Sequence, residues 1–291
     1  MLRILEITVP VFGIILLGYV YARFRPADMS TANRLNVNIF TPALIFYVLS
    51  ERVATQLGLY GAALGAATIV VGSGLIAWPL VRALGWPVRT VVPPAMFNNC
   101  GNMGLPLAVF AYGDHALPTA VIMFVVANAI QFTLGIRILT GRSDLWQLVG
   151  NPMVIATAAG LACLFGGLHA PGIVLPGINM LGNVAIPLML ISLGVRLTEV
   201  DLSHWRVGLV GGLLSPLTGL LIAVPWVLVF RPEPMISGLL ILFGALPPAV
   251  LNYILSEHYD QEPARVASIV AIGNALSLVV IPTVLAFVVG G

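Results

Sequence analysis

The residues with most to offer chemically are amides and helix breakers rather than acids, bases or nucleophiles. Asn98, Asn99 and Asn102 stand in NNCGNMGLP with Gly104 and Pro106 behind them, and Asn252 follows Pro247 and Pro248 in GALPPAVLNY. Asn128 and Asn274 occupy the apolar contexts ANA and GNA. An asparagine side chain carries two N–H donors and an acceptor but no charge. Proline removes a backbone donor, and glycine lets a chain leave the helix. Together these types free backbone N–H and C=O groups and surround them with amides. That is chemistry for holding a small polar ligand or an ion, not for breaking bonds. An enzyme would want a nucleophile beside a base, or metal ligands. Ser215 and Ser277 have no histidine near them in sequence, and His115, His169, His204 and His258 form no metal-ligand pattern with Cys100 or Cys163.

The elements that must position these residues are membrane helices. Only 8% of residues are charged and 59% are hydrophobic, with a mean hydropathy of +1.03. So few charges cannot cover a water-facing surface, so the solvent is mostly lipid. A spanning helix takes roughly 20 residues, which leaves room for about ten. Hydropathy and breakers place them near 4–22, 33–50, 57–81, 90–111, 116–138, 148–168, 174–194, 206–230, 235–255 and 265–290. The first apolar run follows Arg3 as a signal peptide would. It lacks a small-residue cleavage site, and Arg23 and Arg25 flank its far end, so it reads as a retained helix. A net charge of +2 implies no nucleic-acid partner.

Alternation of the loops gathers ten arginines on one face: Arg23, Arg25, Arg34, Arg82, Arg89, Arg137, Arg142, Arg196, Arg206 and Arg265. Arg3, Arg52 and Arg231 lie on the other. The arginine-rich face is then cytoplasmic, and both termini are outside.

The two halves echo each other. Asn38 and Pro42 in the second helix match Asn183 and Pro187 in the seventh, Asn128 matches Asn274, and Pro106 has counterparts in Pro247 and Pro248. The offsets lie between 141 and 146 residues. The halves fall at 1–140 and 146–291, with five helices each. An odd number of spans inverts the second half, and five-plus-five inverted repeats are a transporter signature with substrate bound at broken helices near the midplane. Helices four and nine carry the breakers, so their polar stretches read as unwound midpoints facing a cavity. For AATIVVGSGLIA in helix three, close packing is the better reading. Asn128 and Asn274 fit either a binding site or a simple interhelical bond, while Asn38 and Asn183 fit steadying of the kinks at Pro42 and Pro187.

Half-helix N-termini are anion sites. No arginine is predicted mid-helix, so dipoles and amides would supply the attraction, which suits a small carboxylate better than a cation. Asp28, Glu51, Asp114, Asp144, Glu199, Asp201, Glu233, Glu257, Asp260 and Glu262 all fall at helix ends or in loops, and only Glu6 is nearly embedded. No central carboxylate is therefore available as a proton relay. Glu6, Glu257 and His258 are the groups that could carry a coupled proton. Sodium needs no carboxylate, because carbonyl and amide oxygens can bind it.

At these residues the sequence resembles the auxin efflux carrier family, which includes plant auxin carriers and bacterial permeases for malonate, malate and related acids. The family's N-x-x-x-M-G-[IL]-P pattern stands as Asn99-Cys-Gly-Asn-Met103-Gly104-Leu105-Pro106, and ALPPAVLNYILSEHYDQEP is similar to its ninth helix. NVNIFTPALIFYVLS and LGNVAIPLMLISLGVRL resemble its second and seventh. The long cytoplasmic loop of the large plant carriers is replaced by TGRSDLWQ, as in a compact bacterial, inner-membrane member with periplasmic termini. The resemblance implies a scaffold of 1–50 and 147–196 and an elevator-like transport domain of 57–139 and 204–290. It also implies a homodimer joined through the scaffold. Asn99 would meet the substrate carboxylate with Asn102, Asn128, Asn252 and Asn274 nearby, while Pro106, Pro247 and Pro248 set a crossing of helices four and nine. No cofactor is implied. A bile-acid-type sodium symporter and a non-transporting receptor are the rival readings.

Overall fold

The computed structural model describes residues 2–52, 56–141, 150–168, 170–199 and 203–288. Arg142 and Asp144 within TGRSDLWQ, as well as His169 and Asp201, lie outside the described residues.

Among the described residues the regular structure is all helical. Hydrocarbon offers no partner for backbone groups, so an apolar chain closes its hydrogen bonds within helices. We label these α1 (Leu2–Phe24), α2 (30–52), α3 (Gln56–Ala83), α4a (Val88–Met96), α4b (100–112), α5 (114–140), α6 (Pro152–Gly166), α7 (Leu175–Arg196), α8 (Trp205–Phe230), α9a (Pro234–Gly244), α9b (Val250–His258) and α10 (Pro263–Val288). A helical segment lies in each expected window. Among the described residues six helices are long and apolar enough to cross a membrane, namely α1, α3, α5, α7, α8 and α10.

Local chemistry sets the ends and irregularities. Asn151 caps α6 by accepting the Met153 amide at 2.9 Å, with Pro152 at the first helical position where its missing N–H costs nothing. Ahead of α2, the Asp28 carboxylate accepts the Ser30 amide and hydroxyl, both at 2.8 Å, and these bonds hold it below the usual carboxylate range. Within α2 a π-turn, Asn36–Phe40, precedes Pro42, and in α4b another, Cys100–Gly104, precedes Pro106. A proline cannot donate to the turn before it, and a wider turn upstream accommodates that loss.

Packing sorts the helices by contact. α1 lies on α7, and α2 lies on α6 and α7. α3 packs on α4a, α5 and α8, while α8 also holds α4a, α9a and α10. Small residues permit the closest approaches. A Cβ on Gly194 of α7 would stand 2.0 Å from the Ile15 carbonyl oxygen of α1. One on Gly219 of α8 would stand 2.1 Å from the Gly244 oxygen of α9a. In α3 the small stripe is also a packing face, with Gly72 against Ile222 and Gly74 against Met96.

Candidate functional site

Two helix interruptions meet in the interior. The chain leaves α4a at Phe97, which is extended (φ −102°, ψ 97°), and re-enters a helix at Cys100. It leaves α9a at Ala245 and reaches α9b through an extended Ala249 (φ −68°, ψ 143°). The two stretches run antiparallel at Asn98 and Pro248. The Asn99 amide donates to the Pro247 carbonyl at 2.7 Å, and the Ala249 amide donates to the Phe97 carbonyl at 2.9 Å. Freed backbone groups thus satisfy one another, as a water-poor interior requires.

Asparagine side chains take up much of the remainder. Asn252 Nδ2 donates to the Phe97 carbonyl at 2.8 Å and to the Ala249 carbonyl at 3.0 Å, and its Oδ1 accepts from Gln131 Nε2 at 3.1 Å. Asn274 Nδ2 donates to Pro248 O at 3.0 Å and Val270 O at 2.8 Å, while its Oδ1 accepts from Asn99 Nδ2 at 2.9 Å. Asn98 Nδ2 donates to Phe243 O at 2.6 Å, and Ser215 Oγ donates to Leu246 O at 3.1 Å. All four of these asparagines are buried. Their bonds tie α4, α5, α9 and α10 together at the interruptions.

Beside this knot lies an open cavity of about 160 Å³. One wall comprises Asn98 to Asn102, Asn128, Gln131 and the first turn of α9b; the other comprises Asn33, Asn36, Ser192 and Arg196 from α2 and α7. Asn99, Asn102 and Asn128 therefore line the cavity, whereas Asn252 and Asn274 stand behind that wall and brace it. Asn102 is half-buried and makes no side-chain hydrogen bond among the described residues. Asn128 Nδ2 donates within its own helix to Phe124 O at 2.8 Å. Val250 and Leu251 line the cavity as the first residues of α9b, where amides have no intrahelical acceptor. The α4b N-terminus supplies Gly101 and Asn102 to the same wall.

Arg196 also lines the cavity, although it is not among the expected site residues. It is the last residue of α7, half-buried, one turn beyond Ser192, whose Oγ donates to Asn33 Oδ1 at 2.6 Å. Gln131, Asn33, Asn36 and Ser192 were likewise not among the expected site residues. Gln131 follows Asn128 by three positions on one helix face, and Ser192 precedes Arg196 by four, spacings that could have pointed to them.

Other expected residues lie elsewhere. Gly104 sits against Leu246, whose Cδ1 would be 3.0 Å from an added Cβ. Pro106 lies in α4b beyond the interruption, while Pro247 and Pro248 lie within the other one. Asn38 and Asn183 are exposed and form no side-chain hydrogen bond among the described residues; the buried amide near Pro42 is Asn36, which accepts a long 3.5 Å bond from Thr41. Glu6 is exposed and pairs with Arg3 at 3.4 Å. Glu257 accepts from the Tyr253 hydroxyl at 3.2 Å, and His258 stands edge-on to Tyr259. None of Glu6, Glu257 and His258 lines the cavity. Among the described residues no group of three or more His, Cys, Asp or Glu could hold a metal ion.

Similarity to known proteins places this geometry. A family described as "Membrane transport protein" matches residues 3–145 and 137–285. The chain belongs to that family. Its similarity to a "Putative malonate transporter" of Rhizobium meliloti is 25% identity over 316 aligned positions, covering 100% of this chain and 98% of the relative. An uncharacterized transporter of Methanothermobacter thermautotrophicus is 29% identical, with 95% of this chain and 96% of the relative covered. Another, from Methanocaldococcus jannaschii, is 22% identical over the same shares. The family resemblance carried by the Asn99–Pro106 motif is borne out. The protein is a multi-pass membrane transporter, not an enzyme.

Proposed function

We propose that this transporter carries small organic carboxylate anions, bound in the cavity beside the paired interruptions. The observation that carries the reading is the convergence of two helix N-termini, the Asn99, Asn102 and Asn128 amides and Arg196 on one cavity that no acidic residue lines among the described residues. Helix N-termini and arginine both favour an anion, and asparagine N–H groups add donors without a counter-charge. The relative named for malonate is consistent with a short acid as cargo.

In this reading α4 and α9 are corresponding helices of an inverted five-plus-five repeat, and their interruptions cross at the midplane. Support comes from the antiparallel pairing about Asn98 and Pro248, which are 150 positions apart. That differs from the 141 or 142 offset drawn from Pro106, because the proline itself is not where the helix opens. α1, α2, α6 and α7 form the scaffold, and α3–α5 with α8–α10 form the moving body of an elevator. The cavity between them fits that division. Its lining reaches Asn33 and Arg196 near helix ends on the arginine-rich face, which supports an opening toward the cytoplasm of an inner-membrane protein with outside termini. Exposed Asn38 and Asn183, set among the exposed apolar residues Ile39, Leu181 and Val184, fit a scaffold face covered in a homodimer.

A sodium-coupled symporter of bile-acid type is the second reading. Asn98 Oδ1 favours it, being a buried acceptor without a donor at the edge of the cavity. Uptake of radiolabelled short carboxylates into proteoliposomes, with and without sodium and pH gradients, tests both. Uptake independent of sodium supports the first reading, sodium dependence supports the second, and binding without uptake would leave a receptor.

A further inference from the structure

A second cleft lies away from the asparagine cavity, between α3, α4a and α5. It has a volume of about 520 Å³ and is walled by two helical stripes, Val71, Gly74, Leu75 and Trp78 on α3 and Leu134, Arg137, Ile138 and Gly141 at the end of α5. Each stripe repeats at i, i+3, i+4 and i+7, so each is one continuous helix face turned toward the cleft. Met96 lies on the wall of the cleft, and Leu75 is 72% exposed on its rim. This is an apolar trough open at the surface of a membrane protein.

One end of the trough is basic. Arg89 stands in the first turn of α4a, and one of its guanidinium nitrogens lies 3.8 Å from where a Cβ on Gly141 would be. Gly141 closes α5 in the left-handed region (φ 74°), its amide donating to the Arg137 carbonyl at 2.8 Å. Arg89 and Arg137 thus lie at the same end of the trough. Both are exposed, and neither makes an ion pair or side-chain hydrogen bond among the described residues. Trp78, whose ring suits the headgroup level, is 39% exposed on the same cleft.

We propose that this trough binds one anionic phospholipid. Its phosphate lies between Arg89 and Arg137, and an acyl chain runs down the trough past Trp78, Leu75 and Leu134. The commitment to a lipid rather than a free phosphate rests on the apolar trough that continues from the arginines. A soluble anion would leave that trough empty, and a zwitterionic lipid would leave the two cations uncompensated. Basic pockets between membrane helices bind acidic headgroups by this chemistry. The inference is independent of what the transporter carries.

The test is native mass spectrometry of the full-length protein in detergent, titrated with phosphatidylglycerol and phosphatidylcholine of equal chain length. Each arginine near a headgroup is worth about fivefold, so the pair gives phosphatidylglycerol a preference of about 25-fold. Arg89→Gln with Arg137→Gln should abolish that preference, and each single variant should lower it about fivefold. Leu75→Trp, which crowds the trough without adding charge and leaves both arginines, should weaken retention of the lipid but not of glycerol 3-phosphate. Equal preference in wild type and double variant overturns the proposal. So does full competition by glycerol 3-phosphate, which would make the site one for a soluble anion. If the double variant is not monodisperse, the single variants decide by the same criterion.

Discussion

Replacing Asn99 by alanine separates a binding role from a bracing one. Its side chain makes one hydrogen bond, from Nδ2 to Asn274 Oδ1 at 2.9 Å. Asn274 retains its bonds to Pro248 O and Val270 O in the variant, so its orientation survives. A side-chain bond between membrane helices averages about 0.6 kcal/mol and reaches about 1.7. At this length the loss lowers the melting temperature by about 2–4 °C per kcal/mol. An amide N–H donated to a carboxylate is worth about 1.5–3 kcal/mol, which is about 10- to 150-fold in affinity. The variant should therefore remain monodisperse, melt within about 7 °C of wild type, and lose at least tenfold in carboxylate uptake per folded molecule. Fluorescence-detected size exclusion with a thermal ramp, beside proteoliposome uptake, reads both quantities. Aggregation with uptake falling only in proportion to folded protein would refute the binding role. So would unchanged uptake.

Four further outcomes follow from the same geometry. Asn252→Ala removes two donations and one acceptance and leaves the buried Gln131 amide unpaired. At about 1 kcal/mol per bond it should cost about 2–3 kcal/mol and lower the melting temperature two to three times as far as Asn99→Ala. Arg196→Gln should weaken uptake of an acid about tenfold and flatten its dependence on ionic strength, since it removes a charge from the cavity wall; a flat response in wild type would contradict this. Gly194→Ala drives a Cβ to within 2.0 Å of the Ile15 carbonyl, a backbone atom that cannot turn aside, and should abolish folded protein where Gly177→Ala, with nothing within 4 Å, does not. Uptake of a monovalent acid should respond to an imposed potassium diffusion potential and survive in Glu6→Gln, Glu257→Gln and His258→Gln, because no titratable acid lines the cavity among the described residues; electrically silent uptake would contradict it.

Much of the architecture is legible because lipid leaves the chain few options. Apolar windows and loop arginines place the helices within a few residues, and the breaker-rich stretches identify which two open. The location of the opening in α4 is less legible. Pro106 draws attention, yet the helix opens at Phe97 to Asn99. The π-turn at Cys100–Gly104 absorbs the proline, and nothing in the local sequence announces that trade. The asparagines stand out in sequence as polar groups in an apolar interior, but their division of labour depends on rotation about each helix. Asn99, Asn102 and Asn128 turn to the cavity, whereas Asn252 and Asn274 turn to freed carbonyls. Arg196 shows the limit most sharply. In sequence it is a basic residue at a helix end, and only the packing of α7 against α2 brings it to the same cavity as Asn102.

The most direct measurement is a cryo-electron microscopy map of the protein in lipid nanodiscs with a saturating transported acid. The account predicts carboxylate density within hydrogen-bond reach of the Asn102 side chain and of the Val250 and Leu251 amides, with Asn252 and Asn274 still holding the Phe97 and Pro248 carbonyls. Density for the acid elsewhere, with this cavity empty at a concentration that saturates uptake, would contradict it.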